Sequence, residues 1–215
     1  MLSISLLNQI RSSEIEAIAR RFPAGARVLE IGAGTGQQAL ELRKRGFDVE
    51  AIDVPSSNYK GDQLFPITEY DGRKIPFPDA SFDVVFHPVA NVFCPDLQPV
   101  WDEAFRVLRP GGLLLAGFMN PDIFIFDVGA LDRDEFVVRH PLPFSTLDLP
   151  DAERRQHYGD GPIEYSHSLT SQLGGQMAAG FCLTHLAEAP HHADATRRYM
   201  PGYIATRAIK PDGPL

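Results

Sequence analysis

The chain has little cysteine, no long apolar run and no marked excess of basic residues. Cys94 and Cys182 are its two cysteines, and their wide separation offers neither a disulfide framework nor a metal-ligand spacing. No stretch approaches the roughly 20 apolar residues of a membrane span. The first 22 residues alternate charged and apolar positions, unlike a signal peptide. We therefore expect a cytoplasmic protein with no membrane partner, no bound metal and two thiols buried in the core.

Charge argues against a nucleic-acid partner. The formal net charge is −8, from 20 Lys and Arg residues against 28 Asp and Glu residues. Proteins that bind a phosphate backbone usually carry a basic patch. The apolar fraction of 44% in 215 residues is enough for a substantial core in one domain.

A glycine-rich turn follows the first apolar run. Val28–Ile31 is typical of a buried parallel strand, and a helical pattern resumes near residue 39. Between them lie Gly32, Gly34 and Gly36. Strand, glycine turn and helix form the nucleotide-binding half of a doubly wound fold, where glycine lets the backbone approach a ligand closely. A tight turn without a ligand is the alternative.

The spacing of these glycines disfavours a dinucleotide. A G-x-G-x-x-G pattern starting at Gly32 would place its third glycine at residue 37, which is Gln37. An NAD(P)-dependent oxidoreductase is therefore the weaker hypothesis. The next predicted strand, over 47–53, ends at Asp53. An acidic side chain at that position can accept hydrogen bonds from ribose hydroxyls, although it can also cap a helix beginning near Pro55.

Three segments together resemble one family. The G-x-G-x-G turn preceded by Glu30 resembles motif I of class I S-adenosylmethionine (SAM)-dependent methyltransferases. Residues 70–86, YDGRKIPFPDASFDVVF, resemble the signature of the type 11 small-molecule group, and 103–115, EAFRVLRPGGLLL, resemble its helix-to-strand element. The resemblance covers 25–119 strongly and 169–210 weakly.

This resemblance implies a Rossmann-like α/β fold. We expect a doubly wound, mostly parallel sheet of seven strands in the order 3-2-1-4-5-7-6, with strand 7 antiparallel. Residues 1–215 would form a single domain, with helices over 8–21, before Gly46, over 96–108 and over 169–179. The stretch 120–168 breaks the strand–helix rhythm and is rich in proline and aromatic residues. An insertion of that length is usually functional, and we predict that it acts as a lid.

The resemblance also implies a cofactor site for SAM, with S-adenosylhomocysteine as the product. Asp71 would accept from the adenine amino group, whereas Asp83 would have a structural role. The predicted cofactor-binding residues are Glu30, Gly32, Ala33, Gly34, Gly36, Asp53, Val54, Asp71, Gly72 and His87.

The predicted reaction is methyl transfer to an oxygen or nitrogen atom of a small molecule. Such a displacement depends on holding the nucleophile and the methyl group in line, and it needs a base only if the acceptor must lose a proton. The catalytic candidates are His87, which follows the fourth strand, and His167. His191 and His192 fit a solvated loop better than a metal site. The alternative function is a SAM-binding module that contacts a protein partner without transferring a methyl group.

Overall fold

One mixed sheet forms the centre of the protein. The structure is a computed structural model that describes residues 15–16, 18–54, 63–190 and 195–213. Within these residues the strands are β1 (Arg27–Ile31), β2 (Asp48–Asp53), β3 (Thr68–Glu69), β4 (Phe82–Pro88), β5 (Leu108–Met119), β6 (Cys182–Pro190) and β7 (Pro201–Ile209). Their order is 3-2-1-4-5-7-6, and only β7 runs antiparallel to its neighbours β5 and β6. The predicted topology is confirmed.

Helices cover both faces of this sheet. They are α1 (Gln37–Lys44), α2 (Gln98–Val107), α3 (Val128–Leu131), α4 (Asp151–Tyr158) and α5 (Gly175–Ala178), with a π-helical turn at Thr170–Gly174 before α5. Residues 18–21 are helical and match the end of the predicted leading helix over 8–21. The start of that helix, the predicted short helix after Pro55, and the predicted loop at His191 and His192 lie outside the described residues.

The alternation of side chains along the strands builds two cores. On one face, Leu29 and Val85 pack with Trp101 of α2. On the other, Val28 and Val84 pack with apolar residues of α1 and of the helical residues before β1. Because β1 and β4 are buried on both faces, most of their residues are apolar. Since β1 and β4 pair in parallel, their carboxyl ends lie side by side at one edge of the sheet.

Asp83 has the structural role predicted for it. Its carboxylate accepts from the backbone N–H of Arg27 at 2.8 Å and from Arg109 Nη1 at 2.6 Å. It joins β1, β4 and β5 near their amino ends. Residues 110–112 are part of β5, which begins at Leu108. Gly111 has φ +74°, and the β4–β5 register shifts between Phe82 and Val84, so the strand continues through an irregularity.

Residues 120–168 fold against the segment that follows β4. They form short helical turns rather than a new layer, namely Pro121–Ile125, α3, Thr146–Asp148 and α4. Phe124, Phe144 and Leu149 form a small apolar cluster with Val92. The backbone N–H of Tyr165 donates to the Val92 carbonyl at 2.8 Å. None of the helices within the described residues is both long enough and apolar enough to span a membrane.

Candidate functional site

A cavity of about 480 Å³ opens at the carboxyl ends of β1, β2 and β4. Ligands of open α/β sheets bind at this edge. The lining includes most of the residues predicted to bind a cofactor: Gly32, Ala33, Gly34, Asp53, Val54, Asp71, Gly72 and His87. Glu30, Gly36 and His167 are predicted site residues that do not line it. Glu30 is fully buried within β1, and a ligand contact for these three stays a prediction.

Gly32 is required by the close packing of the turn. Its φ is +76°, and a Cβ at this position would lie 2.3 Å from the Cβ of Ala90. Its N–H donates to the carbonyl of Ile52 at 2.9 Å, so the turn lies over the end of β2. Gly36, with φ +79°, begins α1 and faces Phe65, whose Cβ would lie 2.6 Å from an added Cβ. The packing of the turn therefore requires glycine at both positions.

Asp53 links the glycine turn to the end of β2. Its Oδ2 accepts from the Gly34 N–H at 2.7 Å, and its Oδ1 accepts from the Val54 N–H at 2.7 Å. Burial raises the pKa of Asp53, and the two backbone hydrogen bonds oppose that rise. A carboxylate has about four lone-pair positions, so capacity remains for hydroxyl donors in the cavity.

Asp71 is held by a residue that the sequence did not single out. Arg73 Nη2 donates to Asp71 Oδ2 at 2.6 Å, and Arg73 Nε donates to Asp71 Oδ1 at 3.0 Å. The Arg73 guanidinium lowers the pKa of Asp71, which keeps this carboxyl ionised as an acceptor. Arg73 also lines the cavity. In the sequence, the position of Arg73 two residues after Asp71 is the feature that could have indicated this ion pair.

His87 lies at the end of β4 with both ring nitrogens in contact with the protein. Nδ1 lies 2.9 Å from the carbonyl oxygen of Ile31, and Nε2 is hydrogen-bonded to the side-chain amide of Asn91. The ring is almost fully buried and packs edge-on against Trp101, with centroids 5.8 Å apart. Burial lowers the pKa of His87, although its hydrogen bonds and Asp53 oppose that fall.

His167 lies beside the cavity wall rather than in it. Its Nε2 donates to the carbonyl of Cys94 at 2.7 Å, which ties the end of the insertion to the loop after β4. Burial lowers the pKa of His167, although its hydrogen bond to the Cys94 carbonyl opposes that fall. The structure does not bring His87 and His167 together on the cavity.

The far wall of the cavity contains residues that sequence reasoning missed. Phe93, Cys94 and Pro95 follow β4, and Pro162 comes from the insertion. The prediction that both cysteines are core thiols is wrong, because Cys94 and Cys182 are only partly buried and Cys94 lines the cavity. Cys94 follows a short helical turn that no periodic pattern marks. No group of three potential metal ligands occurs in the described ranges.

Comparison with known proteins gives the same assignment as the motifs. The model of the methyltransferase domain family matches residues 29–116, which include the glycine turn, Asp53, Asp71 and His87. The uncharacterised methyltransferase YbaJ of Bacillus subtilis is 36% identical over 199 residues, which are 86% of this chain and 77% of that protein. The chain belongs to the class I SAM-dependent methyltransferases. SAM is therefore its methyl donor, and the oxidoreductase hypothesis is set aside.

One relative is much longer than this methyltransferase, whereas a solved structure matches nearly its whole length. The sterol 24-C-methyltransferase of Aspergillus fumigatus is 34% identical over 82% of this chain, which spans only 45% of that protein. The crystal structure of a SAM-dependent methyltransferase from Mesorhizobium loti matches with a TM-score of 0.67 at 16% identity. That match covers 94% of this chain and 99% of the other, and it supports the fold alone.

Proposed function

We propose that the cavity holds SAM between the glycine turn and the two acidic side chains. Asp53 would accept from the ribose hydroxyls and Asp71 from the adenine amino group. The fit is supported by the chemistry of these groups, since both carboxylates line the cavity. Asp53 keeps free acceptor positions, whereas Asp71 already accepts from the backbone N–H and the guanidinium of Arg73. The backbone N–H of Gly34 donates to Asp53, and Gly34 also lines the cavity. The backbone of the glycine turn is therefore accessible from the cavity. Bound SAM would supply an electrophilic methyl group on a sulfonium.

We further propose that the acceptor is a small molecule with an oxygen or nitrogen nucleophile. A carbon acceptor commonly needs a base to remove a proton, whereas a heteroatom with a free lone pair needs only alignment with the methyl group. Among the described residues that line the cavity, His87 is the histidine, and both of its nitrogens are already hydrogen-bonded. This observation carries the proposal, because it favours an acceptor that is nucleophilic without enzymic deprotonation. The sterol relative is named as a 24-C-methyltransferase. Methylation on carbon is therefore the alternative that product analysis must distinguish from methylation on oxygen or nitrogen.

Product analysis tests this proposal. The chain is incubated with SAM and panels of amines, carboxylates, phenols and sterols, and S-adenosylhomocysteine is measured together with the mass and NMR spectrum of the product. We expect turnover with a heteroatom acceptor. A product methylated on carbon would contradict the proposal. SAM binding without turnover, together with a stoichiometric protein partner, would instead support the binding-module alternative.

We propose that residues 120–168 close the acceptor end of a single domain. Pro162 lines the cavity, and the insertion is anchored to the neighbouring loop through Tyr165 and His167. The cluster of Phe124, Phe144, Leu149 and Val92 holds it in place. Closure at this position would exclude water from the methyl donor, as lids commonly do.

The variant Phe144→Ala is expected to impair acceptor binding more than SAM binding. Phe144 is 5% exposed and stacks on His140, so its removal should cost about 3–5 kcal/mol of local packing. The acceptor KM should rise, while the SAM Kd measured by calorimetry stays unchanged. Phe105→Ala is the matched control, since Phe105 packs on Phe181 away from the cavity. An unchanged acceptor KM in Phe144→Ala would show that the insertion is not the lid.

A further inference from the structure

Asp71 lies in a tight turn whose backbone orients its carboxylate. The Lys74 N–H donates to the Asp71 carbonyl at 3.0 Å, which closes a turn over 71–74. Asp71 Oδ1 also accepts from the backbone N–H of Arg73 at 2.9 Å, the contact by which aspartate commonly fixes a turn. Both donors belong to the main chain. They hold the carboxylate at the cavity wall whatever side chain follows at position 73.

The Arg73 guanidinium covers the same carboxylate. Its Nε lies 3.0 Å from both Asp71 oxygens, and its Nη2 donates to Oδ2 at 2.6 Å. Together with the backbone N–H, these contacts give each carboxylate oxygen two N–H donors. A carboxylate has about four lone-pair positions, so all of them are in use. An adenine amino group must therefore take the place of one of these donors.

The guanidinium is the donor that can leave. The side chain of Arg73 is 41% exposed and that of Asp71 is 38% exposed, so water can solvate the guanidinium when it turns away. Ion pairs with this exposure contribute little to stability. The backbone N–H, in contrast, is fixed by the turn. Arg73 and Asp71 both line the cavity, so the guanidinium lies where a ligand in the cavity would reach the carboxylate.

We propose that Arg73 competes with the adenine amino group for Asp71, so that SAM and S-adenosylhomocysteine bind with adenine on Asp71 only when the guanidinium leaves the carboxylate. This inference rests on the proposed function, in which Asp71 accepts from adenine. The competition lowers the affinity for the product as much as the affinity for the methyl donor. Arg73 thereby limits inhibition by S-adenosylhomocysteine.

Calorimetric titration of Arg73→Met tests the competition. Methionine is also unbranched, but it donates no hydrogen bond. Loss of an exposed ion pair that opposes binding should lower the Kd of SAM and of S-adenosylhomocysteine by about two- to sixfold. The second ligand separates this effect from general charge, because it lacks the sulfonium and gains nothing from the loss of a cation alone. An unchanged or higher Kd for S-adenosylhomocysteine would overturn the proposal.

Arg45→Met is the matched control. Arg45 Nε donates to Glu41 Oε1 at 3.0 Å, and the two side chains are 34% and 44% exposed. This ion pair resembles that of Arg73 in exposure, but it lies at the C-terminal end of α1 and outside the cavity lining. Its removal should leave both Kd values unchanged. Equal tightening in Arg45→Met and Arg73→Met would overturn the proposal, because net charge would then account for the effect.

The double variant Asp71→Ala with Arg73→Met locates the competition at Asp71. In the Asp71→Ala background there is no carboxylate for the two donors to share. Arg73→Met should therefore leave the Kd of S-adenosylhomocysteine unchanged in that background, and the two substitutions should be non-additive. If Arg73→Met tightens binding as strongly without Asp71 as with it, the proposal is wrong. A melting temperature near that of the wild type would show that the variants are folded.

The single variant Asp71→Ala separates this proposal from the proposed function. If Asp71→Ala binds SAM as the wild type does, Asp71 is not the adenine acceptor, and the adenine contact and the competition both fail. If Asp71→Ala binds SAM more weakly while Arg73→Met binds as the wild type does, the adenine contact stands and only the competition fails. These titrations need no methyl acceptor.

Discussion

Asp53→Ala is expected to weaken SAM binding by about ten- to a hundredfold. This loss corresponds to about 1–3 kcal/mol of binding free energy, the contribution expected from hydrogen bonds to a charged acceptor. Two effects contribute. The ribose would lose its carboxylate, and the Gly34 N–H would lose the acceptor that now lies 2.7 Å away. The glycine turn would then be less ordered before SAM arrives. Calorimetric titration with SAM and with S-adenosylhomocysteine measures both affinities.

Asp48→Ala provides the matched control for this prediction. Asp48 begins β2, at the opposite end from Asp53, and forms exposed ion pairs with Arg27 at 3.4 Å and Arg43 at 3.9 Å. Exposed pairs contribute little, so this variant should bind SAM as the wild type does. If both variants bind SAM equally well, Asp53 is not part of the cofactor site. A loss in Asp53→Ala with an unchanged melting temperature would assign the effect to the site itself.

Local sequence patterns were sufficient to predict those parts of the fold that depend on residues close together in the sequence. The apolar run before Gly32 predicted β1. The next apolar run ends at Asp53, and this pattern predicted that Asp53 lies beside the glycine turn. Each of these features depends on periodicity or on a glycine at a turn, and these features are visible without knowledge of distant contacts.

Contacts between distant positions were not predictable in the same way. Asn91 and Gln172 are 81 residues apart, and each looks like an ordinary polar residue in its own segment. His87 was identified as a candidate from its place after β4, but the groups that occupy its nitrogens come from β1 and from the loop that follows. The cavity wall at Phe93, Cys94 and Pro162 depends on how the insertion packs, and no helix or strand period marks it.

Gly32→Ala is expected to be the more damaging of two matched glycine substitutions. An alanine at φ +76° adds the strain of the left-handed region, about 1–2 kcal/mol, and its Cβ would lie 2.3 Å from that of Ala90. Relief of such a clash by backbone movement typically costs about 1–3 kcal/mol more. Gly32 and Ala90 both line the cavity, so a shift of the turn should lower SAM affinity together with stability.

Gly25→Ala separates the two causes. Gly25 has φ +85°, but an added Cβ would meet nothing within 4 Å. This control should lose about 1–2 kcal/mol of unfolding free energy through strain alone and should keep its affinity for SAM. The double variant Gly32→Ala with Ala90→Gly removes the clash and retains the strain, so it should recover stability to the level of Gly25→Ala in urea denaturation. If the second substitution recovers nothing, contact with Ala90 is not the reason that this position requires glycine, and the left-handed backbone alone accounts for it.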